Sequence, residues 1–182
     1  MEKLKKFLEE NIILLQIFVA GGIFGFLYEE IFYWFDLGII TKRGITFGPW
    51  IPIYAFGAIF ITLICKDRLK KPYQVFLIGT ILSGILEFCT GYLLYHIFQI
   101  RLWDYNVEIL NYGNIGGYVC LRSVLFFGLS SLLLIYGMIP ILKKVREKMN
   151  QKRNKQITII LFMLFIIDII ISCIIGGFHG FN

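Results

Sequence analysis

The chain has 182 residues, of which 58% are hydrophobic and only 16% are charged, and its mean hydropathy is +0.75. A soluble domain is only about 45–50% apolar, so this composition excludes an ordinary soluble protein. The apolar residues fall in blocks of about 20, the length that crosses a bilayer core of about 30 Å. We therefore predict an all-α fold, a polytopic membrane helix bundle. It is expected to form one integral membrane domain over residues 1–182 and to contact the lipid bilayer as a partner.

The net charge of +6 does not indicate nucleic-acid binding, because the basic residues lie beside the apolar blocks. The four cysteines show no CxxC or Cys/His spacing, and the two histidines form no HExxH pattern. The sequence therefore predicts no nucleic-acid partner, no metal and no cofactor.

About five transmembrane helices are predicted. The first is expected to be an uncleaved span rather than a signal peptide, because its apolar run continues through Glu29 and Glu30 with no small-residue cleavage site. Gly21, Gly22 and Gly25 within this span favour the close approach of another helix. The predicted spans cover residues 11–35, 50–65, 73–98, 121–142 and 156–175.

The segment between the first two spans, DLGIITKRGITFGP over residues 36–49, is too apolar for an ordinary solvated loop. Gly44, Gly48 and Pro49 oppose helix formation there. Irregular backbone can enter a membrane only where protein or a wet cavity satisfies its polar groups. We therefore regard this Gly/Pro-rich outer loop as a candidate re-entrant loop.

The distribution of positive charge predicts the orientation in the membrane. Of the 18 Lys and Arg residues, 14 lie in the N-terminal lead, the 66–72 turn and the 143–155 connector. The positive-inside rule places these segments and the N-terminus in the cytoplasm and, with five spans, the C-terminus outside. The predicted protein is thus a multi-pass protein of the cell (inner, cytoplasmic) membrane.

The third span carries a carboxylate, Glu87, near the membrane centre, where an ionisable side chain costs about 3 kcal/mol. Thr80 and Ser83 share its face of the helix, so we expect this polar stripe to face protein or water rather than lipid. Arg43 and Arg122 are candidate counter-charges, because a guanidinium stays charged and binds carboxylates bidentately.

Two interpretations of these polar groups remain open. They are either buried ion pairs that fix the register of the helices, or a polar pocket that opens outward and holds a ligand or performs acid–base chemistry. The number of polar groups exceeds what helix pairing needs, which favours the pocket, although no catalytic residue is assigned. The candidate pocket residues are Glu29, Arg43, Tyr54, Glu87, Trp103, Asp104, Tyr105 and Arg122.

Four other polar features have simpler interpretations. His96 is expected to be an interfacial or capping residue, and His179 a tail residue. Asp168, in the fifth span, is expected to pair with a Ser or Tyr on a neighbouring helix, with a proton or ion site as the alternative. The basic 143–155 connector is a topology signal first and a contact for acidic lipid or a partner second.

Specific motifs follow one another along the chain: GFLYE from Gly25, RGITFGPWIPIYAFG from Arg43, LEFCTGYLLYHIF and RLWDYN from Leu86, and GYVCLR from Gly117. With these motifs, over about residues 25–140, the chain resembles the CmpB-type putative ABC-transporter permeases, small multi-span bacterial membrane proteins. The matching positions are Glu29, Arg43, Gly44, Gly48, Pro49, Pro52, Tyr54, Gly57, Glu87, Trp103, Asp104, Tyr105 and Arg122.

The resemblance has three departures. Phe26 stands where the family commonly has Trp, and Ala55 stands where it commonly has Gly. Tyr95 stands where a second acidic residue is often found, which argues against an essential acid at that position.

The resemblance implies a transport component. The chain has no Walker A sequence, so a permease of this kind would need a separate ATPase subunit. Five spans make a thin wall for a transport pathway, so a homo-oligomer is also expected.

Two alternatives to transport remain. The first is a membrane-embedded enzyme acting on lipid head groups or lipid-linked substrates at the outer leaflet, with Glu29, Glu87 and Asp104 in acid–base roles and Arg43 and Arg122 binding an anion. The second is a non-catalytic binding or assembly protein, in which arginine saturates every buried carboxylate.

Overall fold

The computed structural model describes residues 2–40, 42–66 and 71–175, with side chains from residue 11 onward, so His179 lies outside the described residues. Within these ranges the regular structure is helical, and Ile115 and Val119 form an isolated β-bridge. The helices are α1 (Glu2–Leu37), α2 (Pro52–Cys65), α3 (Pro72–Phe98), α4 (Leu121–Leu133), a π-helical turn (Leu134–Met138), α5 (Ile139–Lys148) and α6 (Gln151–Ile175).

Four helical stretches in the described ranges are long and apolar enough to cross a bilayer. They are Asn11–Leu37, Pro72–Phe98, Leu121–Lys148 and Gln151–Ile175. The prediction of an all-α membrane bundle is therefore confirmed. The second predicted span differs in form, because α2 has only 14 residues and an irregular segment precedes it.

Several helices extend past the apolar runs that predicted them. α1 includes the charged N-terminal lead, and the α4–α5 stretch continues through the basic residues to Lys148. The oxygen Oδ1 of Asn150 caps α6 by accepting the backbone N–H of Lys152 at 3.0 Å and that of Arg153 at 3.3 Å. The basic connector is thus two helix ends joined at residues 149–150. We call this end of the bundle, where α1 and α3 begin, the basic end, and the opposite end the loop end.

A π-helical turn interrupts the α4–α5 stretch just before Pro140. Proline lacks a backbone N–H and its ring clashes with the carbonyl one turn earlier, so a regular α-helix cannot pass through it unchanged. The wider turn absorbs this mismatch and lets the stretch continue to the basic end.

Small residues let the helices pack closely. At Gly79 of α3, an added Cβ would lie 2.6 Å from Cβ of Ser131 in α4, and at Gly21 of α1 it would lie 2.7 Å from Cβ of Ala58 in α2. Such contacts bring backbones together where lipid supplies no hydrophobic driving force. Two apolar clusters fill the interior, one containing Ile17, Ile61, Val75 and Leu134 and the other containing Phe18, Trp50, Ala55 and Phe165.

Residues 42–51, which we call the re-entrant segment, turn back along α1 towards the middle of the bundle. The backbone N–H of Ile51 donates to the carbonyl of Gly22 at 3.0 Å. Gly22 lies 15 residues before the end of α1, so the segment descends about 22 Å along that helix. α2 begins at this depth, with Pro52 in its first turn, where no N–H partner is required.

Asp168 of α6 holds the re-entrant segment in place. Its carboxylate accepts the backbone N–H groups of Phe47 at 2.9 Å and Gly48 at 2.7 Å, and the indole N–H of Trp50 at 2.7 Å. On its own helix, Asp168 bonds Ser172 at 3.3 Å. The expectation that Asp168 pairs with a Ser or Tyr on a neighbouring helix is therefore wrong. Its partners on other elements all belong to the re-entrant segment, whose free backbone N–H groups need an acceptor at this depth.

We predict that Asp168→Asn lowers the free energy of unfolding by about 2 kcal/mol or more, because an amide NH₂ then faces backbone donors. Thermal unfolding of the purified protein in detergent measures the effect. Asp36→Asn is the matched control, since Asp36 accepts a single long bond, 3.4 Å, from the exposed backbone of Ile109. Equal melting temperatures for the two variants would contradict the proposed anchor.

Candidate functional site

A small polar cavity, which we call the chamber, lies between the loop-end halves of α1, α3 and α4, the start of α2 and the loop 99–120. Its volume is about 40 Å³, enough for a few water molecules or one small polar group. The lining combines three carboxylates, one guanidinium and several aromatic rings. The lining residues are Tyr28, Glu29, Phe32, Tyr33, Ile53, Tyr54, Glu87, Trp103, Tyr105, Glu108, Arg122 and Phe127.

Glu87 is buried at the centre of the chamber wall, with 5% of its surface exposed. The phenol of Tyr105 donates a hydrogen bond to one carboxylate oxygen, and the hydroxyl of Ser123 lies 2.8 Å from the other. Burial and the neighbouring carboxylate raise the pKa of the Tyr105 phenol well above its usual range, so it remains a donor. Within the described residues, Glu87 has hydroxyl partners but no ion pair.

Glu108 and Arg122 form a tight buried pair. Nη2 of Arg122 lies 2.5 Å from Oε2 of Glu108, and the phenol of Tyr33 donates to the other oxygen of Glu108. The guanidinium also lies 4.0 Å from the ring centre of Phe32. The guanidinium of Arg122 also contacts the thiol of Cys120. Among the described residues, its Nε and Nη1 find no other hydrogen-bond acceptor.

Glu29 pairs with Arg43 of the re-entrant segment, with 3.5 Å between Oε2 and Nε. The guanidinium of Arg43 lies over the ring of Tyr33, 3.4 Å from its centre, and only 2% of Arg43 is exposed. The neighbouring carboxylate, Glu30, accepts the backbone N–H of Arg43 at 3.0 Å, which fixes the loop against α1. α1 therefore supplies one carboxylate to the side chain of Arg43 and the next to its backbone.

Gly25 positions Tyr54 beneath Glu29. An added Cβ at Gly25 would overlap the Tyr54 ring, so only glycine lets this ring lie against α1. Gly25 and Glu29 are four residues apart and share a face of the helix. Tyr54 consequently reaches the carboxylate of Glu29 with its phenol.

A second cavity, which we call the vestibule, lies on the loop-end side of the chamber and has a volume of about 210 Å³. Asp104 and Arg101 line it and pair at 2.9 Å. The vestibule and the chamber share Tyr33, Trp103 and Glu108 as wall residues. The two cavities are therefore adjacent, separated by a few side chains.

The loop 99–120 covers the chamber through its own internal bonds. The indole N–H of Trp103 donates to the carbonyl of Tyr118 at 2.9 Å. The backbone N–H of Tyr105 donates to the carbonyl of Gly117 at 3.0 Å. Gly117 has φ of +81°, and Arg101 and Asp104 crowd the place where a side chain would stand. Glycine is therefore required there for both backbone and space.

The eight candidate pocket residues lie around these two cavities. Glu29, Tyr54, Glu87, Trp103, Tyr105 and Arg122 line the chamber, whereas Arg43 and Asp104 line the vestibule. Arg122 pairs with Glu108 and not with Glu87, so of the two proposed counter-charges only Arg43 meets a carboxylate from the candidate set. The use of these residues as a ligand site stays a prediction.

Three polar residues of the site were missed at the level of sequence. Tyr33 and Ser123 are ordinary polar residues of apolar helices, and helical spacing alone does not reveal their partners. Glu108 lies in an irregular loop, where no periodicity indicates the direction of the side chain.

The described histidine and acidic residues do not suggest a metal site. His96 is exposed in the last turn of α3, with its ring 4.1 Å from that of Tyr92. Among the described residues, no three His, Cys, Asp or Glu side chains are grouped as metal ligands would be.

Comparison with protein families identifies the class of this protein. Residues 16–173 match the model of ABC_trans_CmpB, whose description is "Putative ABC-transporter type IV". The chain belongs to this family. Neither the comparison with curated proteins nor that with solved structures returned a match. The predicted family is therefore confirmed, and the CmpB-family chain is a multi-pass membrane protein.

We predict that Glu108→Gln and Arg122→Gln each destabilise this CmpB-family protein by about 3–5 kcal/mol, because each leaves the other charge buried alone. The double variant should lose clearly less than the sum of the two. Unfolding free energies of all four proteins complete the cycle. Arg101→Gln and Asp104→Asn form the control cycle, with a coupling below about 1 kcal/mol expected, because their side chains are 31% and 32% exposed. Additive losses at Glu108 and Arg122 would contradict the pairing.

Proposed function

We propose that this protein is the membrane component of an ABC-type transport system and binds a small polar or amphipathic ligand in the chamber. The observation that supports this most is incomplete pairing. Glu29 has Arg43 and Glu108 has Arg122, but Glu87 has only hydroxyl partners among the described residues. The nitrogens Nε and Nη1 of Arg122 also find no acceptor there other than the Cys120 thiol.

A purely structural set of ion pairs would be expected to look different. Buried polar groups in folded proteins are almost always hydrogen-bonded, and buried charges are paired. A carboxylate without an ion pair beside a guanidinium with incomplete hydrogen bonding, both at one cavity, is typical of a place where water or a ligand completes the bonds. This favours binding over the assembly role, in which arginine saturates every carboxylate.

The ligand is proposed to arrive from outside the cell. The sequence segments 1–10, 66–72 and 143–155 carry 14 of the 18 Lys and Arg residues, so the basic end faces the cytoplasm and the loop end faces outward. The vestibule lies at the loop end and shares three wall residues with the chamber. Movement of those shared side chains would connect the chamber to the outer surface of the cell membrane.

The interrupted second crossing supports a transport role. α2 begins at mid-depth, after irregular backbone, and Ile53 in its first turn lines the chamber. Discontinuous helices whose ends meet near the bilayer centre are a common way for transporters to build substrate sites. Here the break brings the start of α2 and Arg43 to the same polar region.

We predict that Glu87→Gln abolishes retention of the ligand while leaving the fold intact, because glutamine keeps the shape and can still bond Tyr105 and Ser123. The protein in nanodiscs is incubated with an extract of small molecules and lipids from bacterial cells, and retained compounds are identified by mass spectrometry. Glu147→Gln, an exposed change at the basic end, is the matched control. The wild type and the control should retain a compound that Glu87→Gln loses.

Two results would overturn this proposal. One is retention of the same compounds by all three proteins. The other is a large fall in the melting temperature of Glu87→Gln, which would make Glu87 a structural residue. Chemical turnover of a retained lipid by the wild type would point instead to an enzyme.

We further propose that an ATPase subunit docks at the helical hairpin of the basic end. The last turn of α5 and the first turn of α6 expose Lys148 and Lys152 next to the 149–150 turn. A cluster of exposed positive charge suits a partner with an acidic surface.

Charge reversal tests this docking surface. In Lys148→Glu/Lys152→Glu, ATP hydrolysis that co-elutes with the tagged protein from solubilised membranes should fall several-fold. Lys148→Arg/Lys152→Arg keeps the charge and should retain the activity. Equal co-eluting activity in both double variants, or none with the wild type, would contradict this site.

A further inference from the structure

A groove of about 530 Å³ lies between α2 and α3, beside the chamber. Ile53, Phe56 and Phe60 of α2 form one wall, and Leu86, Thr90 and Leu94 of α3 form the other. Phe56 and Phe60 are 49% and 42% exposed, so this face of α2 lies at the surface of the apolar bundle. The groove therefore presents its apolar walls towards lipid, with a capacity in the range of ordinary ligand pockets.

The groove leads to the chamber. Glu29, Ile53 and Trp103 line both cavities, so the same three side chains separate them. The groove has its charged residues at this inner and loop-end side, whereas the walls along α2 and α3 are apolar apart from Thr90. Lys42 also lines the groove, but it is exposed, with Nζ 5.0 Å from the ring centre of Phe47.

The chamber favours a positive group. Its described acidic residues, Glu29, Glu87 and Glu108, outnumber the guanidinium groups that pair with them, since Arg43 and Arg122 are committed to Glu29 and Glu108. A cation next to Glu87 would supply the missing charge. The rings of Tyr54, Trp103 and Tyr105 line the same space, and aromatic faces attract cations, most strongly where water is excluded.

We propose that the ligand is an amphiphile with a cationic, ammonium-type head group and a hydrocarbon tail. The head occupies the chamber beside Glu87, the tail lies in the groove between α2 and α3, and the molecule enters sideways from the lipid. This inference rests on the proposed function, to which it adds the chemical class of the ligand and its route.

Binding of octyltrimethylammonium to the protein in nanodiscs tests the proposal, measured by the rise in melting temperature with concentration. Tetramethylammonium, which has the head alone, and octyl sulfate, which has the opposite charge, are the comparison probes. We expect octyltrimethylammonium to bind at least tenfold more tightly than either. Equal binding of octyl sulfate would overturn the cationic head group.

A paired substitution tests the groove itself. Leu94→Trp fills the groove and should weaken octyltrimethylammonium binding at least tenfold while leaving tetramethylammonium binding unchanged. Leu93→Trp makes the same change on an exposed neighbouring position outside the groove and should bind as the wild type. If Leu94→Trp fails to fold, Thr90→Phe and its exposed neighbour Cys89→Phe repeat the comparison.

The outcomes separate the two proposals. If Glu87→Gln loses binding but Leu94→Trp and Leu93→Trp behave alike, the ligand reaches the chamber from water, and the groove proposal fails while the proposed function stands. If neither Glu87→Gln nor Leu94→Trp changes the binding of any probe, both proposals fail. If native mass spectrometry finds a bilayer phospholipid that Leu94→Trp loses and octyltrimethylammonium does not displace, the groove is a lipid site and the proposal is overturned.

Discussion

The hold of α6 on the re-entrant segment is the interaction on which the rest of the arrangement depends. Irregular backbone inside an apolar bundle has N–H groups that lipid cannot satisfy, and each would cost several kcal/mol. Asp168 accepts two such backbone N–H groups and the indole N–H of Trp50, and the carbonyl of Gly22 accepts the backbone N–H of Ile51. With these bonds the chain can return to mid-depth, present Arg43 to Glu29 and begin α2 beside the chamber.

The carboxylates of the chamber have different bonding partners from those of Asp168. At Asp168, the carboxylate accepts hydrogen bonds from several donors, and these donors are satisfied by it. Around the chamber, two of the acidic groups have guanidinium partners, but Glu87 relies on Tyr105 and Ser123. The same chain thus contains a carboxylate whose role is explained by structure and another whose surroundings leave room for a further group. That contrast is the physical reason for assigning function to Glu87 and not to Asp168.

The sequence predicted the helices well, because long apolar runs and the cost of exposed backbone in lipid leave few alternatives to a helical bundle. It also predicted that irregular chain between the first two spans could turn back into the bundle; residues 42–51 do so, whereas residues 37–40 are exposed. Pairing between distant segments was less accessible. Arg122 binds Glu108, 14 residues earlier in an irregular loop, and Asp168 binds backbone 120 residues away. Such contacts follow from tertiary packing, which no local spacing encodes.

The break in the second crossing also explains why the cavities lie where they do. A helix with side chains is about 10 Å wide, and a single irregular strand of chain is much narrower. Where residues 42–51 stand in place of a helix, they fill less of the space between α1 and α3 in the loop-end half of the bundle. The groove is lined there by Gly44, Ile45 and Ile51 of this segment, and the chamber lies just behind it. The device that carries Arg43 into the bundle therefore also opens the space beside Glu87, so the charge arrangement and the cavity have a single structural origin.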